Sequence, residues 1–208
     1  MKVLISVFEP FGGNTVNPTE KLMRDVMVSP ESYQTSGVSA LKPVVLPVTF
    51  ESAFEVLARE MESFSPDAVI AFGLAAGRSQ AIELERVAIN CIDCEIPDNA
   101  GRVLQDAPVN PNGQNAYFST LPLRAMLEDL EKAGIPARIS NTAGTYVCNY
   151  LFYRLQEMNL STGRRTGFIH VPFLPEQVKE NSNTPSMPFE QLRLALRTIL
   201  VTLVRVQD

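Results

Sequence analysis

The chain contains one histidine and three cysteines, so imidazole chemistry can only use His170 and thiol chemistry must choose among Cys91, Cys94 and Cys148. Cys148 sits in Ser140-Asn141-Thr142-Ala143-Gly144-Thr145-Tyr146-Val147-Cys148-Asn149-Tyr150, where an extended run gives way to a helical pattern carried by Leu151, Phe152 and Leu155. That places the thiol in the first turn of a helix, where unpaired N–H groups and the positive end of the helix dipole favour the nucleophilic thiolate. The same N–H groups are suited to receive an oxyanion. His170 lies in Gly167-Phe168-Ile169-His170-Val171-Pro172-Phe173, at or near the end of a buried-looking strand, and open α/β sheets present their sites at strand ends. Each residue also has an ordinary role: a lone histidine in an apolar strand is commonly a hydrogen-bonded core residue, and free cysteine is among the most buried types. Glu83 and Glu85 put carboxylates beside the apolar run that follows Arg86, and one of them could orient an imidazole. A surface ion pair with Arg86 or Arg78 is the common state of such groups, and the residues alone do not choose between Glu83 and Glu85.

Three cysteines and a histidine are also the donor set of a closed zinc site. Cys91-Ile92-Asp93-Cys94 speaks against it, because it continues an apolar strand without a glycine-containing knuckle, and residues three apart on a strand point to opposite faces. A thioredoxin-like redox pair begins a helix, whereas Ile96-Pro97 follows here. Cys91 and Cys94 therefore read as structural, and no metal is expected.

The elements that must position these groups are legible as short apolar runs at 2–8, 38–48, 67–74, 86–92, 137–141 and 166–173, each bounded by Gly, Pro, Asn or Asp. Helical stripes alternate with them: Phe50, Phe54, Leu57, Ala58 and Met61 after a Thr49 cap; Leu123, Met126, Leu127 and Leu130 after a Thr120 cap; and Leu192, Leu196, Ile199 and Leu203 after Ser186, with Pro188 in the first turn. Residues 97–115, rich in Pro, Gly and Asn, read as a long loop. Alternation of this kind predicts a three-layer α/β/α sandwich around a mostly parallel, mixed sheet, formed by residues 1–208 as one domain. With 45% apolar and 20% charged residues the chain has material for a substantial core. A net charge of −5 without a basic cluster excludes a nucleic-acid partner. The run Val3–Phe8 is too short for a signal core or a membrane span, so the expectation is a cytoplasmic protein with free thiols and no membrane association.

Four blocks together resemble pyroglutamyl peptidase I. They are Phe8-Glu9-Pro10-Phe11-Gly12-Gly13 with Val16-Asn17-Pro18; Gly73-Leu74-Ala75-Ala76-Gly77-Arg78 with Glu85-Arg86-Val87-Ala88-Ile89-Asn90; Thr142 to Asn149; and Gly167 to Gln177. The resemblance spans nearly the whole chain. It implies a cysteine exopeptidase with Cys148 as nucleophile, His170 as acid and base, and Glu85 as the third member, acting on pyroglutamyl peptides without metal or cofactor, cytosolic and commonly homotetrameric. It also implies that Phe8, Phe11 and Asn17 hold the pyroglutamyl ring. Two positions depart from the family pattern: Ser6-Val7 stands where Thr-Gly is usual, and Glu95 stands where many members have an arginine near the oxyanion. A thiol amidase for another acyl group and a silent binding module are the competing readings.

Overall fold

A computed structural model describes residues 1–179 and 182–206. In chain order its elements are β1 (Lys2–Phe8), α1 (Pro18–Val28), β2 (Ala40–Leu46), α2 (Phe50–Phe64), β3 (Ala68–Leu74), β4 (Ile82–Glu85), β5 (Val87–Ile89), β6 (Ala116–Phe118), α3 (Leu123–Lys132), β7 (Ala137–Ser140), α4 (Val147–Asn159), β8 (Arg165–Val171) and α5 (Phe189–Arg205). The main sheet runs β2-β1-β3-β8-β4-β7, and β5 and β6 form a separate antiparallel pair. Strands β2, β1, β3 and β8 are parallel. β4 lies antiparallel to β8 and parallel to β7, which makes the sheet mixed.

Strand periodicity divides the interior into two cores. On β1, Val3, Ile5 and Val7 join Leu22, Met126 and Leu196 of α1, α3 and α5. Leu4 and Phe8 on the opposite face join Leu57, Met61 and Phe152 of α2 and α4. Both faces of the sheet are covered, which explains why the central strands are continuous apolar runs rather than alternating ones. The expected α/β/α sandwich is the architecture observed, in a single domain.

Several local expectations are corrected. Thr120 does not cap α3, which starts after Pro122; its hydroxyl accepts from Thr166 N (2.7 Å) and donates to Arg164 O (3.0 Å), tying the loop to β8. α5 begins at Phe189 with Pro188 at the cap rather than in the first turn, and Ser186 instead makes an isolated bridge with Phe173. Thr49 is the N-cap residue of α2 but makes no side-chain cap bond; Asp98 Oδ2 accepts from Phe50 N (3.2 Å) in its place. The run at 86–92 is a strand only at Val87–Ile89, so Cys91 and Cys94 are not strand residues. The Cys94 sulfur hydrogen-bonds instead with the Leu104 backbone, at 3.4 Å to its O and 3.5 Å to its N.

Three elements had no counterpart in the sequence reading. α1 carries a usable signal, Asn17 before Pro18 with Leu22, Met23 and Val26 buried. β4, with two glutamates in four residues, and β6, only three residues long and largely exposed, are too short to stand out. Residues 97–115 form no helix or strand, as expected, and are pinned by an isolated bridge between Ile92 and Ala107 and by exchange between Asn90 and Asn110. No helix among the described residues is long and apolar enough to cross a membrane.

Candidate active site

β1, β3 and β8 run parallel, so their carboxyl ends bring Phe8, Gly73 and His170 to one edge of the sheet. His170 pairs in register with Gly73 on one side and with Glu83 of β4 on the other. Phe168 and His170 share a strand face, with ring centroids 4.9 Å apart, and Phe168 is backed by Phe152 (5.9 Å) and Phe8 (6.4 Å). These aromatic contacts fix the strand carrying the imidazole.

Cys148 arrives from α4. Gly144, at φ +79°, permits the turn after β7, and Tyr146 takes the N-cap position without a side-chain cap bond. The first intrahelical bond runs from Tyr150 N to Tyr146 O (3.0 Å), so the N–H groups of Val147, Cys148 and Asn149 precede the helical ladder. Asn149, fully buried, accepts from Ile89 N (3.0 Å) and donates to Ile89 O (2.9 Å) and Cys91 O (3.0 Å), locking α4 to β5 and its continuation. The sulfur lies close over Gly73, where a Cβ would stand only 2.9 Å from it.

The three groups singled out in the sequence are adjacent. His170 donates from Nδ1 to Glu85 Oε1 (2.7 Å), leaving Nε2 as the ring nitrogen that the carboxylate does not use. Burial of His170 opposes protonation, but the neighbouring Cys148 and Glu85 outweigh it and raise its pKa from 6.5 to about 9. Glu83 and Glu85 occupy the α4-facing side of β4, while Ile82 and Leu84 on the other side enter the opposite core. Both carboxylates are fully buried. Glu83 is held by Arg138 Nε (2.9 Å) and Arg78 Nη2 (3.0 Å), so the surface ion pair expected with Arg78 is an interior one for the carboxylate. Glu83, Glu85 and His170 place their ligand atoms within 4.8 Å of one another, a set able to hold a cation; guanidinium and imidazole groups already engage both carboxylates.

Beside the sulfur, Phe8, Phe11, Asn17, Val48, Leu74, Tyr146 and Val147 line a small cleft with Cys148. Asn17 is engaged first as the cap of α1: its Oδ1 accepts from Thr19 N (3.1 Å) and Oγ1 (2.9 Å), and Nδ2 donates to Glu9 O (3.2 Å). One amide hydrogen of Asn17 remains. Val48, Leu74 and Tyr146 were not singled out from sequence; Leu74, in the Gly73–Arg78 block, and Tyr146, two residues before the cysteine, lay in motifs that could have flagged them, whereas Val48 lay in none. The Tyr146 hydroxyl donates to Pro97 O (2.9 Å) and its ring lies 6.3 Å from that of Phe11, so it joins the long loop to the opening block. Glu95 is exposed, and no ion pair is recorded for it among the described residues.

An α/β/α sandwich that brings a thiol, an imidazole and a buried carboxylate together at the carboxyl end of parallel strands has the architecture of a cysteine hydrolase. The family model for pyroglutamyl peptidase matches residues 1–206, and the chain belongs to that family. It is 44% identical to a pyrrolidone-carboxylate peptidase of Pyrococcus furiosus over 90% of this chain and 88% of the relative. Identity to one from Streptococcus pyogenes is 38%, over 100% of this chain and 94% of the relative. Among solved structures, a mutant pyrrolidone carboxyl peptidase from P. furiosus superposes with a TM-score of 0.90 at 41% identity, covering 99% of each chain. Pyroglutamyl peptidase I of Bacillus amyloliquefaciens gives 0.88 at 38% identity, covering 100% of this chain and 98% of the other.

Proposed function

We propose that the chain removes the N-terminal pyroglutamyl residue from peptides through a thioester, with Cys148 as nucleophile, His170 as acid and base, and Glu85 as the group that orients and charges the imidazole. The observation that carries this reading is the buried Glu85–His170 pair (2.7 Å) set beside Cys148, whose sulfur lies at the rim of an uncharged cleft. The Cys148 sulfur attacks the pyroglutamyl carbonyl, forming a C–S bond and moving the carbonyl electrons onto oxygen. The N–H groups opening α4 receive that charge, since no side-chain cap competes for them. The intermediate collapses by breaking the C–N bond, and the imidazolium of His170 gives its proton to the departing amine. Neutral His170 then takes a proton from water, whose oxygen attacks the thioester. Pyroglutamate leaves, and the sulfur and imidazolium are restored.

The residues that line the cleft are chemically suited to the substrate. Pyroglutamate is a lactam with no free α-amine, and no charged residue lines the cleft that would receive it. Phe8 and Phe11 offer apolar faces to the ring, and the remaining amide hydrogen of Asn17 is the donor available to a lactam carbonyl. Residues 1–208 act as one catalytic domain in the cytoplasm, without metal or cofactor, as a homotetramer; light scattering and assay in the presence of EDTA check the last two points.

Release of a fluorophore from a pyroglutamyl amide, compared with its prolyl and glutaminyl counterparts, tests the reading. Only the pyroglutamyl compound should turn over. Cys148→Ala and His170→Ala should each lower kcat by at least about 10³-fold in folded protein, because nucleophile and base act as a unit. Glu85→Gln should cost less than either. Turnover of the prolyl amide at a comparable rate would replace the pyroglutamyl assignment with a different acyl specificity, and near-normal activity of Cys148→Ala would remove the thioester.

A further inference from the structure

β4 presents two fully buried carboxylates, Glu83 and Glu85, to the same side of the sheet, although only Glu85 is used against the imidazole. Like charges this close and this dry repel strongly, and such a pair lowers its energy by taking up a shared proton unless cations compensate. Two guanidiniums are present, from different elements. Arg138 of β7 reaches Glu83 alone, from a side chain 53% exposed. Arg78, in the β3–β4 connection, reaches both: its Nη2 stands 3.0 Å from Glu83 Oε2 and 3.7 Å from Glu85 Oε1. The same nitrogen donates to Thr142 O (2.9 Å) and Ser140 Oγ (3.4 Å), in the segment that leads from β7 into the helix bearing Cys148.

We infer that Arg78 is a positioning residue for the hydrolysis: by bridging Glu83 and Glu85 it lets two buried carboxylates stand side by side, so that the negative charge of Glu85 is available to His170. This rests on the proposed roles of Glu85, His170 and Cys148. The charged groups facing the imidazole are Glu83 and Glu85 from β4, Arg78 beside them, and Cys148 from α4, with Arg138 behind Glu83. Without Arg78, Glu83 keeps the guanidinium of Arg138 while Glu85 is left with the imidazolium of His170 alone, so any proton the carboxylate pair takes up is taken at the expense of the Glu85–His170 ion pair. His170 then loses its ionic partner.

The test compares Arg78→Met, Arg78→Lys, Glu83→Gln with Arg78→Met, and wild type, reading kcat/KM for a pyroglutamyl amide across pH, with thermal denaturation to certify folding. Arg78→Met should lower kcat/KM about tenfold or more, a coupling within the range for residues in one charged network. Its alkaline limb should move to lower pH, because protonated Glu85 no longer supports the imidazolium. Arg78→Lys keeps the charge and should keep the limb. The double variant removes the surplus carboxylate together with its cation, and should return both rate and limb toward wild type. An alkaline limb that is unmoved or moves upward in Arg78→Met, as loss of a nearby cation alone would produce, overturns the inference. So does a double variant as impaired as the single, which would mean Arg78 serves only to tie down the Ser140–Thr142 segment. Should Arg78→Met not fold, a limb in Arg78→Lys displaced well below wild type has the same meaning. Failure of the triad itself is seen separately, as full activity in Cys148→Ala or Glu85→Gln.

Discussion

His170 is protonated to an unusually high pH for a buried imidazole because two partners face it at once. In the proposed mechanism His170 gives its proton to the leaving amine and stops doing so as pH rises through its folded value, so the alkaline limb of kcat for a pyroglutamyl amide should fall near pH 9. Glu85→Gln removes one of the two supports and should bring that limb down, as a pH–rate profile would reveal. Gly73 is constrained as tightly. A Cβ at this position would meet Phe168 Cζ at 2.8 Å and Cys148 Sγ at 2.9 Å, distances that real side chains do not tolerate. Gly73→Ala should therefore displace the sulfur and lower kcat by about 10²-fold, since misplacement of about 1 Å is enough for that loss. Glu95 represents the opposite case. Its exposure removes the reason to expect repulsion of an oxyanion, and single-turnover acylation by Glu95→Arg should match wild type.

At the scale of elements, the site depends on how α4 and β4 are anchored. α4 carries its own thiol, but the position of its first turn relative to the β5 segment is set by Asn149, whose side chain satisfies three backbone groups from a fully buried position. Leaving buried polar groups unpaired costs about 1–3 kcal/mol for each one. Asn149→Ala should thus destabilise the protein by about 3 kcal/mol or more in urea unfolding, and should lower kcat through the adjacent Cys148. β4 contributes by its direction. Set antiparallel against β8, its short span turns Glu83 and Glu85 toward α4 while Ile82 and Leu84 anchor it in the other core. A parallel β4 in the same place would reverse that order along β8 and alter which carboxylate stands beside the imidazole.

Across the whole molecule, the two cores and the site are coupled through the same strands. Phe152, fully buried, packs α4 onto Phe168 of β8, so it supports both the second core and the strand that holds His170. Phe152→Ala should cost about 3–5 kcal/mol by leaving a cavity, measurable as a lower midpoint in chemical denaturation. The raised pKa of His170 also links stability to pH. Its folded value, about 9, lies above the ordinary 6.5, so its stabilising contribution is complete below pH 6.5 and is lost as pH rises through 9. Urea unfolding of wild type against His170→Gln should show wild type losing its relative advantage between those two values.

Much of this protein is determined by local sequence. Short continuous runs of Val, Ile, Leu and Phe bounded by turn residues made β1, β3 and β8 visible, and apolar stripes with a period near 3.6 did the same for α2, α3 and α5. The single histidine restricts imidazole chemistry to one residue whatever the fold. Local signals failed where an element is stabilised by its surroundings instead of by its own pattern. β4 and β6 are strands because their neighbours supply the hydrogen bonds, and α2 is capped by Asp98 from a residue 48 positions away, not by the adjacent Thr49. The choice between Glu83 and Glu85 has the same origin. The two residues are chemically identical and alternate with the same apolar neighbours, so no local property separates them. Only the register of β4 on β8, with Arg138 and Arg78 taking up Glu83, leaves Glu85 in contact with the imidazole. Likewise, the three groups are 85 and 22 residues apart along the chain, and the cost of bringing them together is met by the burial of both sheet faces, which no single segment encodes.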